Sequence, residues 1–245
     1  MTDRSDRVVA IVGASSGIGR ALALRCGQRG DALVLTARRA ELLGELAAEL
    51  AAGRRDSPDR TECLTSDVRA ASAGRDMVNA AISRFGRIDV IVYAAGWNVP
   101  RRSIYEATAE SWRSILETNL TGAFGVTSAA VPVMKAQGGG LLVYVSSSGA
   151  KRPDQSGAAY QASKAGMAAL AHATMEECRA DNIRTTVIYP GLTDTPFVEH
   201  RPKPLSEQAR RNALQPADVV DACMFVMGLP DRAHVPELLL YPAHS

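Results

Sequence analysis

Short runs of aliphatic and β-branched residues recur along this chain, each followed by a segment with helical spacing. The runs fall at 8–12, 33–37, 61–65, 89–93, 141–146, 183–189 and 237–241, with helical patterns at 17–29, 40–52, 70–85, 111–137, 158–181 and 216–227. The runs lack a polar alternate, so both faces of each strand need covering. A parallel sheet with helices on both sides meets that need. Right-handed crossovers then wind the chain into a doubly wound α/β fold of about seven strands. These elements use nearly all of the 245 residues, which predicts one domain over 1–245. Two segments interrupt the rhythm. Residues 53–60 (GRRDSPDR) read as a solvated surface connection. Residues 191–216, with Pro196, Pro202 and Pro204, are too long for an ordinary turn and read as a lid or binding loop.

Charge narrows the function classes. With 28 basic and 26 acidic residues the net charge is +2, too small a field for a dedicated binder of nucleic acid or membrane surfaces. The polar start MTDRSDRVV has no signal-peptide character, and no apolar stretch approaches a membrane span. The expected setting is therefore cytoplasmic. Cys26, Cys63, Cys178 and Cys223 are scattered, as are His172, His200, His234 and His244. Free buried thiols and no metal site follow.

The first strand runs into Gly13-Ala14-Ser15-Ser16-Gly17-Ile18-Gly19, just ahead of an amphipathic helix. Glycines allow a sharp turn and a close approach to a pyrophosphate, and the helix start offers free N–H groups to the anion. The spacing is G-x-x-x-G-x-G rather than G-x-G-x-x-G. A glycine cluster alone also suits a tight turn; its position between strand and helix is what points to a dinucleotide. The second strand ends Ala37-Arg38-Arg39, with no acid before Glu41. An acid at that place holds the ribose hydroxyls of NAD, whereas arginine grips a 2′-phosphate. Arg38 is therefore the candidate phosphate ligand, assisted by Ser15 and Arg39, and NADP is favoured over NAD. The bland alternative, two arginines starting a solvated helix, runs against the helix dipole.

The sharpest signal is Tyr160-Gln161-Ala162-Ser163-Lys164. Residues four apart share a helix face, so the phenol and the ammonium can meet in one site. A nearby ammonium favours phenolate and draws a phenol's pKa down toward the useful range. The chain holds 24 arginines and only 4 lysines, so a lysine at this place is informative. Ser147 lies at the end of the fifth strand, where such sheets place their chemistry. Its hydroxyl could hold a substrate carbonyl. Spacing alone selects it among Ser146, Ser147 and Ser148.

Taken in order, the glycine loop, Arg38, Asp67-Val68, Ala94-Ala95-Gly96, Asn119, Ser147, Tyr160, Lys164 and Pro190-Gly191-Leu192-Thr193-Asp194-Thr195 resemble the short-chain dehydrogenase/reductase family, with its single Rossmann-like domain, over the whole chain. The resemblance implies that Tyr160 gives a proton to the carbonyl oxygen in reduction and removes it in oxidation. It implies that Lys164 lowers the Tyr160 pKa and holds the nicotinamide ribose, that Ser147 polarises the substrate oxygen, and that Asn119 positions a water linking Lys164 to solvent. Asp67 and Val68 would contact adenine, Ala94, Ala95 and Gly96 would line the cofactor cleft, and Pro190, Gly191, Thr193 and Thr195 would border the nicotinamide and phosphates. Ser16, Ile18 and Gly19 complete the loop. The cofactor would supply the hydride.

Two departures from the family pattern stand out. Val12 replaces the usual Thr, and Tyr93-Ala94 replace the usual Asn-Asn, which predicts lost support near the loop and in the sheet. Trp97 reads equally as a wall of the substrate pocket or as a packed loop residue. The run Glu199-His200-Arg201-Pro202-Lys203 suits an acidic substrate or a solvated loop. The leading expectation is an NADP(H)-dependent enzyme acting on a small carbonyl or alcohol. A 3-oxoacyl-thioester reductase and a non-catalytic NADP-binding regulator are the alternatives. A homodimer or homotetramer is expected, using 111–137 and the small apolar run 165–171 as helix surfaces, although that run also suits burial within one subunit.

Overall fold

Strands form where aliphatic and β-branched residues crowd: β1 Val8–Val12, β2 Ala32–Ala37, β3 Thr61–Thr65, β4 Val90–Tyr93, β5 Gly140–Val145, β6 Ile183–Pro190 and β7 Glu237–Leu240. In the computed structural model, which describes residues 7–53 and 60–244, they make one seven-stranded sheet in the order β3-β2-β1-β4-β5-β6-β7. Every pairing is parallel. Alternate side chains feed two cores. On one face Val8, Ala10 and Val12 pack with Met77, Val126 and Met167; on the other Val9 and Ile11 pack with Leu22, Leu46 and Val219. Those partners belong to α3 (Ala73–Phe85), α5 (Gly122–Ala136) and α6 (Ala158–Glu177) on the first face. On the second they belong to α1 (Gly17–Gln28), α2 (Ala40–Ala52) and α8 (Pro216–Gly228). The doubly wound arrangement is the one that covers strands apolar on both sides.

The segment 111–137 is not one helix. It divides into α4 (Ala109–Leu116), a π-turn over Glu117–Thr121 and α5. A π-turn admits one extra residue, which helical periodicity does not reveal. Tyr93 explains its anchoring: the phenol donates to the Thr118 carbonyl at 2.6 Å, tying β4 to the π-turn. Gly122 leaves room for that phenol, since a Cβ there would lie 2.5 Å from its oxygen. Thus Tyr93 supplies a different brace where an amide was expected to be lost.

The long excursion after β6 has structure of its own. It holds a 3₁₀ turn, Pro196–His200, and α7 (Glu207–Asn212). Its ends are joined by a bridge between Thr193 and Leu214 and by an ion pair of Arg210 with Asp194 at 2.7 Å. Within the expected connection 53–60, residues 54–59 lie outside the described residues. Cys26, Cys178 and Cys223 are buried free thiols, but Cys63 is exposed on the edge strand β3, contrary to the expected burial. The described residues contain no group of potential metal ligands, and none of their helices is long and apolar enough to cross a membrane.

Candidate active site

At the carboxyl ends of β1 and β4 the chain departs in opposite directions, because β1 leads outward to β2 and β4 leads the other way to β5. Such a switch point opens a crevice. Here it is a cleft of about 630 Å³.

The turn after β1 forms its first wall. Gly13 and Gly17 have φ of +88° and +56°, in the left-handed region that favours glycine. A Cβ on Gly13 would lie 2.7 Å from the Ala95 nitrogen, and one on Gly19 would overlap the Gly13 carbonyl. Gly13, Ser15, Ser16, Gly17 and Ile18 line the cleft, while Gly19 packs behind them. The N–H groups of Gly13 and Ala14 donate to the Thr36 carbonyl at 2.8 and 3.1 Å. Backbone bonds therefore support the turn where Val12 lacks a hydroxyl. The result is bare backbone at the start of α1, a cradle suited to a pyrophosphate.

Beyond it, Arg38 and Arg39 are exposed and line the cleft. Arg39 donates to the Ser15 hydroxyl at 2.9 Å and to the Ser16 hydroxyl at 2.7 Å. Arg38 makes no ion pair with a described residue, and its guanidinium lies 6.0 Å from the centre of the Trp97 ring. Asp67, Val68, Ala94, Ala95 and Gly96 follow along the floor. The Asp67 carboxylate is engaged by Arg69, whose hydrogen bonds hold it below the usual carboxylate range. Pro190, Gly191, Thr193 and Thr195 form the far wall.

At the other end α6 presents Tyr160 and Lys164, both buried. The Ser147 hydroxyl stands near the Tyr160 phenol and favours its ionised form. Ser146 instead turns inward and donates to the Lys164 carbonyl at 3.0 Å. Among the three serines, Ser147 is thus the one aimed at the phenol. Lys164 donates to the Val145 carbonyl at 2.9 Å, and its Nζ lies 5.9 Å from the Tyr160 ring centre. The electrostatic balance departs from the expectation of a phenol drawn down by an ammonium. Burial pushes Tyr160 up to about 12, only partly opposed by the Ser147 hydroxyl, and pulls Lys164 down to about 7. In this desolvated site each charge costs more than their mutual attraction returns at that separation.

Asn119, fully buried in the π-turn, does not line the cleft. Its carboxamide accepts from the Trp97 N–H at 2.7 Å and donates to the Trp97 carbonyl at 3.0 Å and the Ser163 hydroxyl at 2.9 Å. The side chain therefore clamps the loop after β4. Trp97 does line the cleft, with its ring between Arg38 and His200, the latter 4.8 Å away. His200 and Phe197 continue the cluster, and the Phe197 ring is 5.9 Å from that of Tyr160. Phe197 and His200 belong to the long loop that the sequence marks as a candidate substrate-facing region, whereas Arg102 is not legible as a site residue. Arg102 is one arginine among 24 in a polar run, and nothing in its spacing marks it.

Lys164 makes a stability prediction. Its folded pKa of about 7 lies below the ordinary 10.5, so the unfolded chain binds more protons between those values. Stability of the cofactor-free protein should rise with pH across that window, with the full penalty present below it. Lys164→Met should raise the melting temperature at pH 7 by about 3 °C or more and flatten the rise. Losing the Val145 bond offsets part of the gain. Thermal unfolding at pH 7 and 9 checks this, and a lower melting temperature at both would contradict it.

Comparison with known proteins places the cleft in context. A family model described as short chain dehydrogenase matches residues 7–205. An uncharacterized oxidoreductase of Staphylococcus haemolyticus is 32% identical over 243 residues, covering 99% of this chain and all of that one. Among solved structures, an alcohol dehydrogenase from the archaeon Thermococcus sibiricus, complexed with 5-hydroxy-NADP, superposes with a TM-score of 0.86 at 28% identity over 98% of each chain. A closed form of serine dehydrogenase complexed with NADP+ gives 0.85 at 28% identity, over 95% of this chain and 94% of that one.

Proposed function

This chain belongs to the short-chain dehydrogenase/reductase family and is an oxidoreductase, and from that premise we propose that it interconverts a carbonyl and an alcohol with NADP(H), using Tyr160 as general acid and base. The observation that carries the reading is the convergence of Tyr160, Ser147 and Lys164 at one end of a cleft whose other end is a glycine-bearing cradle flanked by arginines. The cradle would hold the pyrophosphate, with Asp67, Val68 and Ala94 to Gly96 along the adenosine side. Pro190, Gly191, Thr193 and Thr195 would border the nicotinamide. When bound, the cofactor supplies or accepts the hydride.

The chain's own residues handle the proton. A phenol held near pKa 12 stays protonated at neutral pH and can donate to a substrate oxygen in reduction. Ser147 and that phenol line the same cleft close to each other, so both hydroxyls can converge on one oxygen and share its developing charge. In oxidation the phenolate is the base, so alcohol oxidation should gain with rising pH. Lys164 would hold the cofactor ribose. Because the Asn119 carboxamide is engaged by Trp97 and Ser163, a water link to Lys164 would use the Asn119 backbone carbonyl.

NADP rather than NAD is supported by Arg38 and Arg39 at the end of β2, where the first acid, Glu41, lies in the first turn of α2. The NADP-type cofactors in the alcohol and serine dehydrogenases agree with this. Free thiols at all four cysteines fit a reducing cytoplasm. Exposed Trp112 and Phe124, on α4 and α5, support self-association. On α6 the small residues divide: Met167, Ala168 and Ala171 are buried within the subunit, while Ala162, Ala165 and Ala169 face outward.

NADPH consumption measured against ketones, aldehydes and 3-oxoacyl thioesters tests the proposal. Turnover of at least one carbonyl is expected. Tight NADPH binding without any turnover would favour the non-catalytic regulator, which the family match does not otherwise support.

A further inference from the structure

The substrate end of the cleft carries positive charge that proton transfer does not use. Resting on the carbonyl–alcohol reading above, we propose that Arg102 and Arg201 bind a carboxylate on the substrate, so that the compound turned over is a small oxo or hydroxy acid.

Arg102 follows β4 and is only 9% exposed. It is seated closely against Gly157, where φ is +93° and a Cβ would meet the Arg102 carbonyl at 2.5 Å and its Cβ at 2.9 Å. Its Nε donates to the Gln155 carbonyl at 3.1 Å, which fixes the plane of the guanidinium. Among the described residues nothing hydrogen-bonds Nη1 or Nη2, and no carboxylate is in ion-pair contact with it. Arg201, half-buried just after the 3₁₀ turn, lines the same cleft and likewise has no ion-pair partner among the described residues.

Two guanidiniums near one desolvated space oppose each other. Burial first, then the charge of Arg201, pull the Arg102 pKa below its ordinary value, and Asp154 opposes this only in part. Asp154 lines the cleft too, but one of its oxygens accepts from the Ser156 N–H at 2.8 Å. Glu199 is exposed at the rim. An entering anion would relieve the unpaired buried charge. Arg102, Arg201 and Tyr160 line the same cleft, so an anion held by the arginines shares that space with the reacting oxygen. A guanidinium with both terminal nitrogens free matches the planar, two-oxygen carboxylate. Asp154 would repel a more highly charged phosphate dianion. Phe197 packs 5.9 Å from the Tyr160 ring and His200 lies 5.8 Å from Phe197, which gives this end of the cleft an aromatic wall.

The test compares NADPH-dependent reduction of 3-oxobutanoate with that of its methyl ester, in the full-length protein and in Arg102→Gln and Arg201→Gln. The acid should be preferred in kcat/KM by about tenfold or more. Each substitution should lower that preference, Arg102→Gln by about tenfold or more and mostly through KM. A preference for the ester, or equal losses for acid and ester, would overturn the proposal. Arg201→Gln, at a more exposed position, keeps the comparison informative where Arg102→Gln unfolds. A second readout does not need turnover: 3-hydroxybutanoate titrated into NADP-loaded protein and followed by tryptophan fluorescence. Saturation in the unmodified protein that weakens in both variants supports the carboxylate site even where no reduction is detected, a result that would then count against the carbonyl–alcohol reading alone. No saturable change, or one insensitive to both arginines, refutes the site.

Discussion

Tyr160→Phe is expected to lower carbonyl reduction by about 10³-fold, within the range usual for loss of a positioned general acid, while NADPH affinity changes by less than about threefold. The substitution removes one oxygen and keeps the ring that packs beside Phe197. The fold should persist, since the neighbouring Ser147 hydroxyl is half-buried and able to turn to solvent. Single-turnover reduction alongside NADPH fluorescence titration separates chemistry from binding. Residual activity within about tenfold of the unmodified protein would remove Tyr160 from the proton-transfer role. The pH dependence gives an independent check. With the phenol near 12, reduction should be almost flat from pH 6 to 8, whereas oxidation of the alcohol should climb as phenolate becomes available.

Arg38→Asp should reverse cofactor preference. A charge-assisted hydrogen bond to phosphate contributes about 1.5–3 kcal/mol, and the introduced carboxylate adds repulsion, so kcat/KM for NADPH should fall about 100-fold or more. For NADH the change should stay within a few-fold, since an acid at this place can hold ribose hydroxyls. Arg39 is tied to Ser15 and Ser16, so Arg39→Ala should weaken NADPH less and also loosen the loop. Kinetics with both cofactors reads the ratio directly. Equal losses for NADPH and NADH after Arg38→Asp would show that Arg38 supports the site rather than selecting its phosphate.

Much of the fold was legible because its causes are local. Runs such as Val8-Val9-Ala10-Ile11-Val12 are apolar at every position and require cover on both faces, which by itself implies a parallel sheet. The glycine loop and the Tyr160 to Lys164 spacing are equally local: each follows from backbone conformation or helical pitch over a few residues. The π-turn was hidden, because one extra residue leaves hydrophobic periodicity nearly unchanged, and its anchor, the Tyr93 phenol, lies 25 residues away. The different brace supplied by Tyr93 was hidden for the same reason.

By itself the sequence determined which chemical groups are present and which short-range geometries they adopt: strand, turn, helix face and the order in which they follow. Tertiary structure alone decided how far each group is removed from water and what else shares its space. That is why it reversed the expected direction for the Tyr160 phenol, directed the Asn119 carboxamide to Trp97 and brought Arg102 into the cleft beside Arg201. Desolvation and charge proximity depend on atoms contributed by segments distant along the chain, and no pattern within one segment encodes them.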